Sequence, residues 1–543
     1  ATIIVMVLPM IGAAQRTIIT HKQEVARILR APWWQRIGLD FLILAPAVYW
    51  TYLLHQSGMV DILGSGVSGD GPFRNPSLFL VPALSMVALT LLLVRILPIA
   101  LRLLAALATR LPGTALVLAL RQLSRSPGTY ATPVMLLVLT VALAAFTASV
   151  AATLDQHLDQ QARYDVGADV RLHDTGQAMN PGSAGDWFGQ TAESPDQNTA
   201  AGPRWVFLPI FDYLKVPGVA AAARVGTYEM VVSYAIGGRA GGRFLGIDRN
   251  DYAHAGYWRK DFAAQPLMGL MNALAATPDG VLIPDAVARV NRLSVGDRIR
   301  AAITFPDARV EVDTTFTIVG TFDLWPTWYP NKGSGAVFVG NLDYMFELAG
   351  SQMPYDVWLR LQPGADAPRV VEQLRAIDRG EWKHTTAQAL VLQEQARPQR
   401  QGLFGMLSIG FAGSAILTLF GFFLYAVFSY RRRFIELGVL RAIGLSTRQM
   451  ILVLGAELAV LLLLGILAGT ALGVACSQWY IPFLQAPATS ELRAAPFQIV
   501  IDWPRIWLIY GLFGALFVAA LAALSTFLAR LRIFQAVKLG ETA

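Results

Sequence analysis

The amino-acid sequence predicts a polytopic α-helical membrane protein with a large α+β extracytoplasmic domain. Hydrophobic residues make up 54% of the 543 residues and charged residues only 15%, whereas a soluble protein carries about 25% charged residues. The apolar residues form blocks long enough to cross a bilayer, which takes about 20 residues. Between these blocks, residues 155–400 have an ordinary globular composition and are numerous enough to bury their own core.

Seven apolar blocks are predicted to be membrane spans. They are Ala1–Ala14, Ile37–Leu54, Leu78–Ile99, Ala131–Ala152, Leu403–Tyr430, Met450–Ala475 and Ile506–Leu528. The first block is not preceded by a basic leader, so it does not resemble a cleavable signal peptide. We expect it to be the end of a span from an N-terminal module that this sequence lacks.

The charges of the loops predict the orientation of these spans. Basic residues are concentrated at Arg16–Arg36, Arg102–Arg125, Arg431–Arg448 and Arg530–Lys538, whereas the alternate segments are rich in Gly and Pro and much less basic. Since cytoplasmic loops carry an excess of Lys and Arg, we expect these four segments in the cytoplasm and residues 155–400 outside. The net charge of +7 has the same explanation. Nucleic-acid binding is not expected, because the basic residues do not form a face with interleaved aromatic residues.

The sequence contains no motif for catalysis or for a cofactor. Cys476 is the single cysteine, the histidines have no metal-ligand spacing, and no Gly-x-x-x-x-Gly-Lys-Ser/Thr loop occurs. We therefore predict no catalytic residues, no metal site and no bound cofactor. A membrane-anchored enzyme stays as a third, weaker alternative, because Ser, His and Asp do occur in the extracytoplasmic domain.

The alternation of apolar and polar residues predicts an α+β fold for this domain. Strands are expected at residues 280–283, 298–303, 311–321, 335–339 and 356–361, with helices at 285–292 and 368–377. Residues 174–199 are predicted to be a long loop, and the paired glycines of Gly237–Arg243 to be a hairpin turn. The aromatic loop Asp323–Pro330 has two interpretations: its rings contact an apolar ligand, or they cover the domain's own core or lie on the outer leaflet.

A charged segment, Arg431–Ser446, separates the fifth and sixth spans. Its residues Phe434, Leu437, Leu440 and Ile443 recur every three residues and form one apolar stripe of a helix. Gly444 is a helix stop, and Ser446 with Gln449 is a capping box for the next helix. Physical chemistry alone leaves two interpretations: an interfacial helix bound to lipid headgroups, or a helix that binds a cytoplasmic partner.

The stretch from Glu436 to Gly444 resembles the signature of FtsX/MacB-like (type VII) ABC transporter permeases, Glu-Ile-Gly-x-x-Arg/Lys-Ala-Leu/Ile-Gly, with Leu437 in place of Ile. Residues 119–127, 281–285 and 536–541 are also similar to that family, so the resemblance covers residues from about 115 to 543. It implies that 434–445 is a coupling helix that binds an ABC ATPase. The residues that the resemblance implies as ATPase contacts are Phe434, Glu436, Leu437, Gly438, Leu440, Arg441, Ala442 and Gly444.

The resemblance also implies the organisation of the chain, as a ten-span duplicated permease without most of its first module. Residues 1–14 would end a span of that module, 15–112 would hold a cytoplasmic linker and two connecting spans, and 113–154 the first span of the second module. The extracytoplasmic domain would occupy 155–400, and 401–543 three further spans with the coupling helix. The partners implied are two copies of the ATPase, which bind the ATP and Mg, together with membrane lipid and an extracytoplasmic protein or lipoprotein. The location implied is the bacterial cytoplasmic membrane.

Two features of the sixth span have competing interpretations. Gly465, Gly469 and Gly473 form a repeated small-xxx-small pattern, which suits either a sliding interface between spans or static packing. Glu457 is an acid in an apolar run, where an ionised carboxylate costs roughly 2.5–3.5 kcal/mol at mid-bilayer. Pairing with an arginine or a helix terminus is favoured over a proton relay.

Two functions remain open at the level of sequence. The complex could export or extract an amphiphile such as a lipid, lipoprotein or peptide, which the large domain favours. Alternatively, it could transport nothing and act as a mechanotransmitter that activates a cell-wall enzyme or sensor.

Overall fold

The computed structural model describes residues 37–57, 77–108, 110, 114–125, 127–179, 204–234, 238–305, 310–330, 335–377, 382–396, 446–482 and 498–529, together with scattered helical residues between 405 and 424. The chain divides into two compact units. The helical unit comprises residues 1–154, 402–486 and 498–543, and the α/β unit comprises 155–401 and 487–497. The predicted span at 1–14 and the coupling segment at 434–445 lie outside the described residues.

Thirteen helices are defined over the described residues. They are α1 (Leu39–Ser57), α2 (Ser77–Ala108), α3 (Thr114–Arg125), α4 (Pro127–Val166), α5 (Ile210–Leu214), α6 (Tyr252–Ala255), α7 (Leu267–Ala276), α8 (Asp285–Asn291), α9 (Leu342–Ala349), α10 (Ala367–Ile377), α11 (Ala387–Gln395), α12 (Thr447–Tyr480) and α13 (Trp503–Ala529).

Eleven strands are defined over the same residues. They are β1 (Val170–Thr175), β2 (Gln177–Met179), β3 (Arg204–Val206), β4 (Val219–Tyr234), β5 (Gly238–Ile247), β6 (Gly280–Pro284), β7 (Arg298–Phe305), β8 (Val310–Phe322), β9 (Ala336–Asn341), β10 (Tyr355–Leu361) and β11 (Lys383–Thr386).

Three described helices are long and apolar enough to cross a membrane: Val81–Ala108, Tyr130–Val166 and Arg448–Tyr480. They contain the spans predicted near residues 78–99, 131–152 and 450–475, which are confirmed as helices. Two shorter apolar helices, Leu39–Tyr52 and Trp503–Ala519, coincide with two further predicted spans. The predicted span at 403–430 is only partly described.

Two helices begin at residues that favour a helix start. Helix α4 begins at Pro127, whose missing N–H costs nothing in the first turn. At the start of α12, the backbone N–H of Gln449 donates to Ser446 Oγ (3.3 Å), and the backbone N–H of Ser446 donates to Gln449 Oε1 (3.0 Å). This reciprocal pair is the capping box that the sequence predicted.

The α/β unit is built on a nine-stranded sheet in the order β11-β1-β10-β4-β5-β9-β6-β8-β7. Strand β4 also pairs with β7, so six strands, β4-β5-β9-β6-β8-β7, close into a ring. Within this ring β5–β9 and β6–β8 are parallel, and the remaining pairs are antiparallel. Closure removes the open edges that a sheet of this size would otherwise present.

The two faces of the sheet bury two separate cores. One core contains Val232, Phe244, Ile303, Phe316 and Phe338, with the helices α9 and α10 contributing further side chains. The second core contains alternate residues of the same strands, such as Leu245, Leu282, Val339 and Trp358, with Trp325 and Trp328 of the aromatic loop. Trp325 is fully buried. The aromatic loop therefore covers the core, as the second of its two interpretations expected.

The sequence-based strands β6 to β10 are confirmed, each within a few residues of the predicted bounds. The hairpin predicted at Gly237–Arg243 is confirmed as an antiparallel pair, because Tyr234 at the end of β4 lies opposite Gly238 at the start of β5. Its predicted position is wrong, because Gly238–Arg243 belong to β5 and not to the turn. Gly242 serves close packing: a Cβ there would lie 2.6 Å from the carbonyl oxygen of Ala336. Part of the predicted loop at 174–199 forms β2, and its residues from 180 onwards lie outside the described part of the chain.

Gly167, which connects α4 to β1, offers a test of this packing. It adopts φ +92°, and an added Cβ would lie 2.3 Å from the ring of Trp358, whereas Gly364 adopts φ +84° with no atom within 4 Å. Both alanine variants place a Cβ on left-handed backbone, which lowers the free energy of unfolding by about 1–2 kcal/mol. Gly167→Ala should lose a further 1–3 kcal/mol or so through overpacking. Urea unfolding followed by tryptophan fluorescence measures the difference, and equal losses in both variants would contradict the packing of Trp358 described here.

Candidate coupling site

The C-terminal end of α4 is held inside the α/β unit by backbone hydrogen bonds. The N–H of Thr327 donates to the carbonyl oxygen of Tyr164 (2.8 Å), and the N–H of Tyr257 donates to that of Gly167 (2.7 Å). The Tyr164 hydroxyl in turn donates to the carbonyl oxygen of Trp328. Two loops, around residues 257–262 and 324–329, thereby satisfy the carbonyls that a helix end leaves without intrahelical partners.

Thr327 holds its place in this arrangement at a conformational cost. It adopts φ +71°, which is unfavourable for a β-branched residue and costs of order 1–3 kcal/mol. Such a conformation persists only where surrounding contacts enforce it. Here those contacts are the hydrogen bond to α4 and the burial of the neighbouring Trp325 and Trp328.

Arg259 fixes the preceding turn of α4. Its Nη1 donates to Gln160 Oε1 (2.7 Å), and its Nε donates to Asp261 Oδ1 (2.9 Å), with Nη2 bound to the second carboxylate oxygen. Only 7% of Arg259 is exposed. Its guanidinium also lies over the ring of Phe262 (5.7 Å), which packs edge-on against Tyr164 (5.5 Å). We call Gln160, Tyr164, Arg259, Phe262 and Thr327 the helix anchor.

The helix anchor suits mechanical transmission. A hydrogen bond to a charged group contributes about 1.5–3 kcal/mol, and removing one partner leaves the other unsatisfied. One such bond, from Arg259 to Gln160, and three bonds between neutral groups hold the end of α4. A displacement or rotation of the end of α4 is therefore passed to the loops that hold it.

The predicted glycine stripe lies against α4 within the helical unit. A Cβ on Gly465 would lie 2.3 Å from Leu137 Cδ2, one on Gly469 2.8 Å from the carbonyl oxygen of Val138, and one on Gly473 2.6 Å from that of Ala142. Helices α12 and α4 thus approach backbone to backbone along about two turns, which only small residues permit.

Hydroxyl groups link further helices of the helical unit. Thr140 Oγ1 lies 2.5 Å from Thr418 Oγ1, and Thr470 Oγ1 lies 2.7 Å from the Tyr510 hydroxyl. The Tyr480 hydroxyl at the end of α12 contacts Ser85 Oγ (2.5 Å) on α2 and Thr51 Oγ1 (2.7 Å) on α1. Thr51 already donates to the carbonyl oxygen of Ala47, so Tyr480 donates to Thr51 and accepts from Ser85.

The structure places the remaining predicted site residues as follows. Glu457 lies in α12 with 2% of its surface exposed and takes part in a further interaction, so the choice between ion pairing and proton relay stays a prediction. The predicted ATPase contacts, Phe434 to Gly444, lie outside the described residues, and their role also stays a prediction. No group of three or more His, Cys, Asp or Glu residues is arranged to hold a metal ion within the part of the chain that is described.

The sequence reasoning missed the helix anchor. Arg259 and Gln160 are 99 residues apart, and neither lies in a motif. The available signal was the polar helical continuation Asp155–Val166 after an apolar span, which predicts a helix that extends beyond the bilayer. The side chains that bind the end of this helix come from distant parts of the chain, and only the tertiary fold brings them there.

Substitution of Gly469 tests the contact between α12 and α4. Gly469→Ala should lower the free energy of unfolding by roughly 1–3 kcal/mol, because the new methyl group meets the backbone of α4. Gly514→Ala on α13 is the matched control, since nothing lies within 4 Å of its Cβ position and alanine favours the helix. Thermal unfolding of both variants in detergent, followed by circular dichroism, measures the effect. A Gly469→Ala variant as stable as Gly514→Ala would rule out this close approach.

Comparisons with solved structures find similar domains at low sequence identity. The extracellular domain of the noncanonic ABC-type transporter YknZ from Gram-positive bacteria is 13% identical, with a TM-score of 0.23 over 33% of this chain and 86% of that one. The periplasmic region of MacB from Actinobacillus actinomycetemcomitans is 8% identical, with a TM-score of 0.25 over 42% of this chain and 94% of that one. A domain of a protein described as a permease from Porphyromonas gingivalis is 17% identical, with a TM-score of 0.23 over 41% of this chain and 88% of that one.

The comparison with protein families is more informative than that with single proteins. No curated protein matches the chain significantly. Residues 408–535 match the family described as FtsX-like permease C-terminal. This range includes the charged segment Arg431–Ser446, the glycine stripe and the described helix α12. The match confirms the resemblance of the sequence to FtsX/MacB-like permeases over residues 408–535.

Proposed function

We propose that this chain is the permease subunit of an ATP-binding cassette transporter and couples ATP hydrolysis by a separate ATPase to movement on the extracytoplasmic side. The match of residues 408–535 to FtsX-like permeases is the observation that carries the proposal. The sequence lacks a phosphate-binding loop of its own, so ATP and Mg would be bound by the ATPase, in two copies.

The helical unit would be a multi-pass domain of the bacterial cytoplasmic membrane. Its long apolar helices support insertion. With 40 residues, α4 measures about 60 Å at 1.5 Å per residue, twice the roughly 30 Å of hydrocarbon. The excess length continues into residues that belong to the α/β unit. Lipid contacts would cover the apolar side chains that the helical unit exposes, such as Leu463 and Leu467 of α12.

The coupling segment at 434–445 would receive the movement of the ATPase. Helix α12 begins directly after it, at the capping box of Ser446. Backbone contact at the glycine stripe would pass a displacement of α12 to α4. The helix anchor would then pass it to the loops of the α/β unit. The contact between α12 and α4 and the helix anchor are both tightly packed, and a tightly packed contact transmits force.

The output of this movement would be export or extraction of an amphiphile such as a lipid, lipoprotein or peptide. The large α/β unit favours this output, because a domain of this size exceeds what is needed to join two spans. A mechanotransmitter that activates an extracytoplasmic enzyme would use the same anchor. Stimulation of the ATPase by a lipid or peptide in detergent supports transport, whereas co-purification with a hydrolase supports the alternative.

The double variant Glu436→Ala with Arg441→Ala tests the ATPase contact. It should abolish co-purification of the cognate ATPase, because it removes two charged side chains of the predicted coupling helix, and it should leave the fold intact. Glu347→Ala with Arg369→Ala removes the same charges from the α/β unit and serves as the control. Pull-down from membranes measures the bound ATPase. Undiminished binding to the first double variant would count against the assignment of the coupling helix.

A further inference from the structure

One face of the sheet in the α/β unit carries several basic side chains. Arg171 and His173 of β1 lie opposite Trp358 of β10 and Lys383 of β11, respectively. Asp356 lies two residues from Trp358, and Arg243 of β5 lies two residues from Leu245. Because directly opposed residues and residues two apart share a face of a sheet, all these side chains lie on the face that buries Trp358 and Leu245. We call Arg171, His173, Arg243, Asp356 and Lys383 the basic face.

The carboxylate of this face is already engaged. Asp356 Oδ2 accepts hydrogen bonds from Arg171 Nε (2.7 Å) and Nη2 (2.5 Å), and its Oδ1 lies 3.9 Å from His173 Nδ1. The other ring nitrogen of His173 is bound to Thr385 Oγ1 (2.9 Å). Asp356 therefore neutralises Arg171 and holds it in place over the ring of Trp358.

The positive charge of Arg243 is not neutralised by an ion pair in this way. It is partly buried, and its Nε is shielded from solvent without a hydrogen-bond partner among the described residues. Burial lowers the pKa of the guanidinium, and the positive charge of Arg171 lowers it further. Glu229 lies opposite Arg243 in the register of β4 and β5, but the side chain of Glu229 is exposed and no ion pair joins the two.

The charges of this face add up to a surplus. On β1, β4, β5, β10 and β11 the face carries five basic side chains and two acidic ones: Arg171, Arg239, Arg243, Arg360 and Lys383 against Asp356 and Glu229. A partly buried guanidinium without an acceptor is costly, and an anion that binds there supplies the missing hydrogen bond and reduces the excess of positive charge. Guanidinium groups bind phosphate oxygens in a bidentate manner, more strongly than neutral donors do.

We infer that the basic face binds a phosphate group, either as free phosphate or as the headgroup of a phospholipid. The site lies on paired strands, so its donors are positioned before the ligand arrives. The inference goes beyond the proposed coupling and does not depend on it, because phosphate binding is measured without the ATPase.

Isothermal titration calorimetry of the full chain in detergent tests this site at fixed ionic strength. The two probes are inorganic phosphate and dihexanoyl phosphatidic acid. Arg243→Gln should weaken binding of the probe by about tenfold, or about 1.4 kcal/mol. Arg289→Gln, which removes an exposed arginine of α8, should bind as the unaltered chain does. Tighter binding of phosphatidic acid than of phosphate would identify a headgroup site, and equal affinities would identify a site for phosphate itself.

A second variant changes the affinity in the opposite direction. Asp356→Asn keeps the shape of the side chain, releases Arg171 and raises the charge of the face by one unit. Phosphate should then bind several-fold more tightly. The inference is overturned if neither probe binds the unaltered chain, or if Arg243→Gln and Asp356→Asn both leave the affinity unchanged in folded protein.

Discussion

The end of α4 cannot move independently of the loops that receive it, and the proposed mechanism depends on this constraint. Its last turns are held through the backbone at Tyr164 and Gly167 and through the side chain of Gln160. Arg259 is buried and bonded on three sides, so it cannot follow the helix by exchanging one partner for water. A helix held in this way transmits displacement, whereas a flexible tether of equal length would absorb it.

The same principle governs the contact between α12 and α4. Glycines at three successive turns leave α12 without side chains that could rearrange, and the Cβ positions of Gly469 and Gly473 lie within 2.8 Å of carbonyl oxygens of α4. A displacement of α12 is therefore passed to the backbone of α4 at these two glycines. The hydroxyl contacts from Tyr480 to Thr51 and Ser85 add α1 and α2 to the group of helices that α12 contacts. In an apolar environment such hydrogen bonds have few competing partners, which favours one arrangement of the helices.

The sequence predicted those parts of the structure that local patterns determine. Apolar blocks predicted α2, α4 and α12, the capping box predicted the start of α12, alternation predicted β8, and short strand-like runs predicted β6, β7, β9 and β10. Strand β4 was missed because its Val-Ala-Ala-Ala-Ala start favours helix locally, and pairing with β5, β7 and β10 overrides that preference. The anchor and the basic face were missed for a related reason. Their residues are brought together by pairing and packing between segments that are distant in the sequence, which no spacing along the chain reveals.

The central claim is that the coupling segment and the α/β unit lie on opposite sides of one membrane. The chain has a single cysteine, Cys476, and it is fully buried, so an introduced cysteine can be labelled against little background. Arg441→Cys reports on the coupling segment, and Arg369→Cys reports on the α/β unit, where Arg369 is well exposed. A membrane-impermeant maleimide applied to spheroplasts should label Cys at position 369 at once and Cys at position 441 only after permeabilisation. Equal labelling of both positions in intact spheroplasts would contradict the proposed transmission across the membrane.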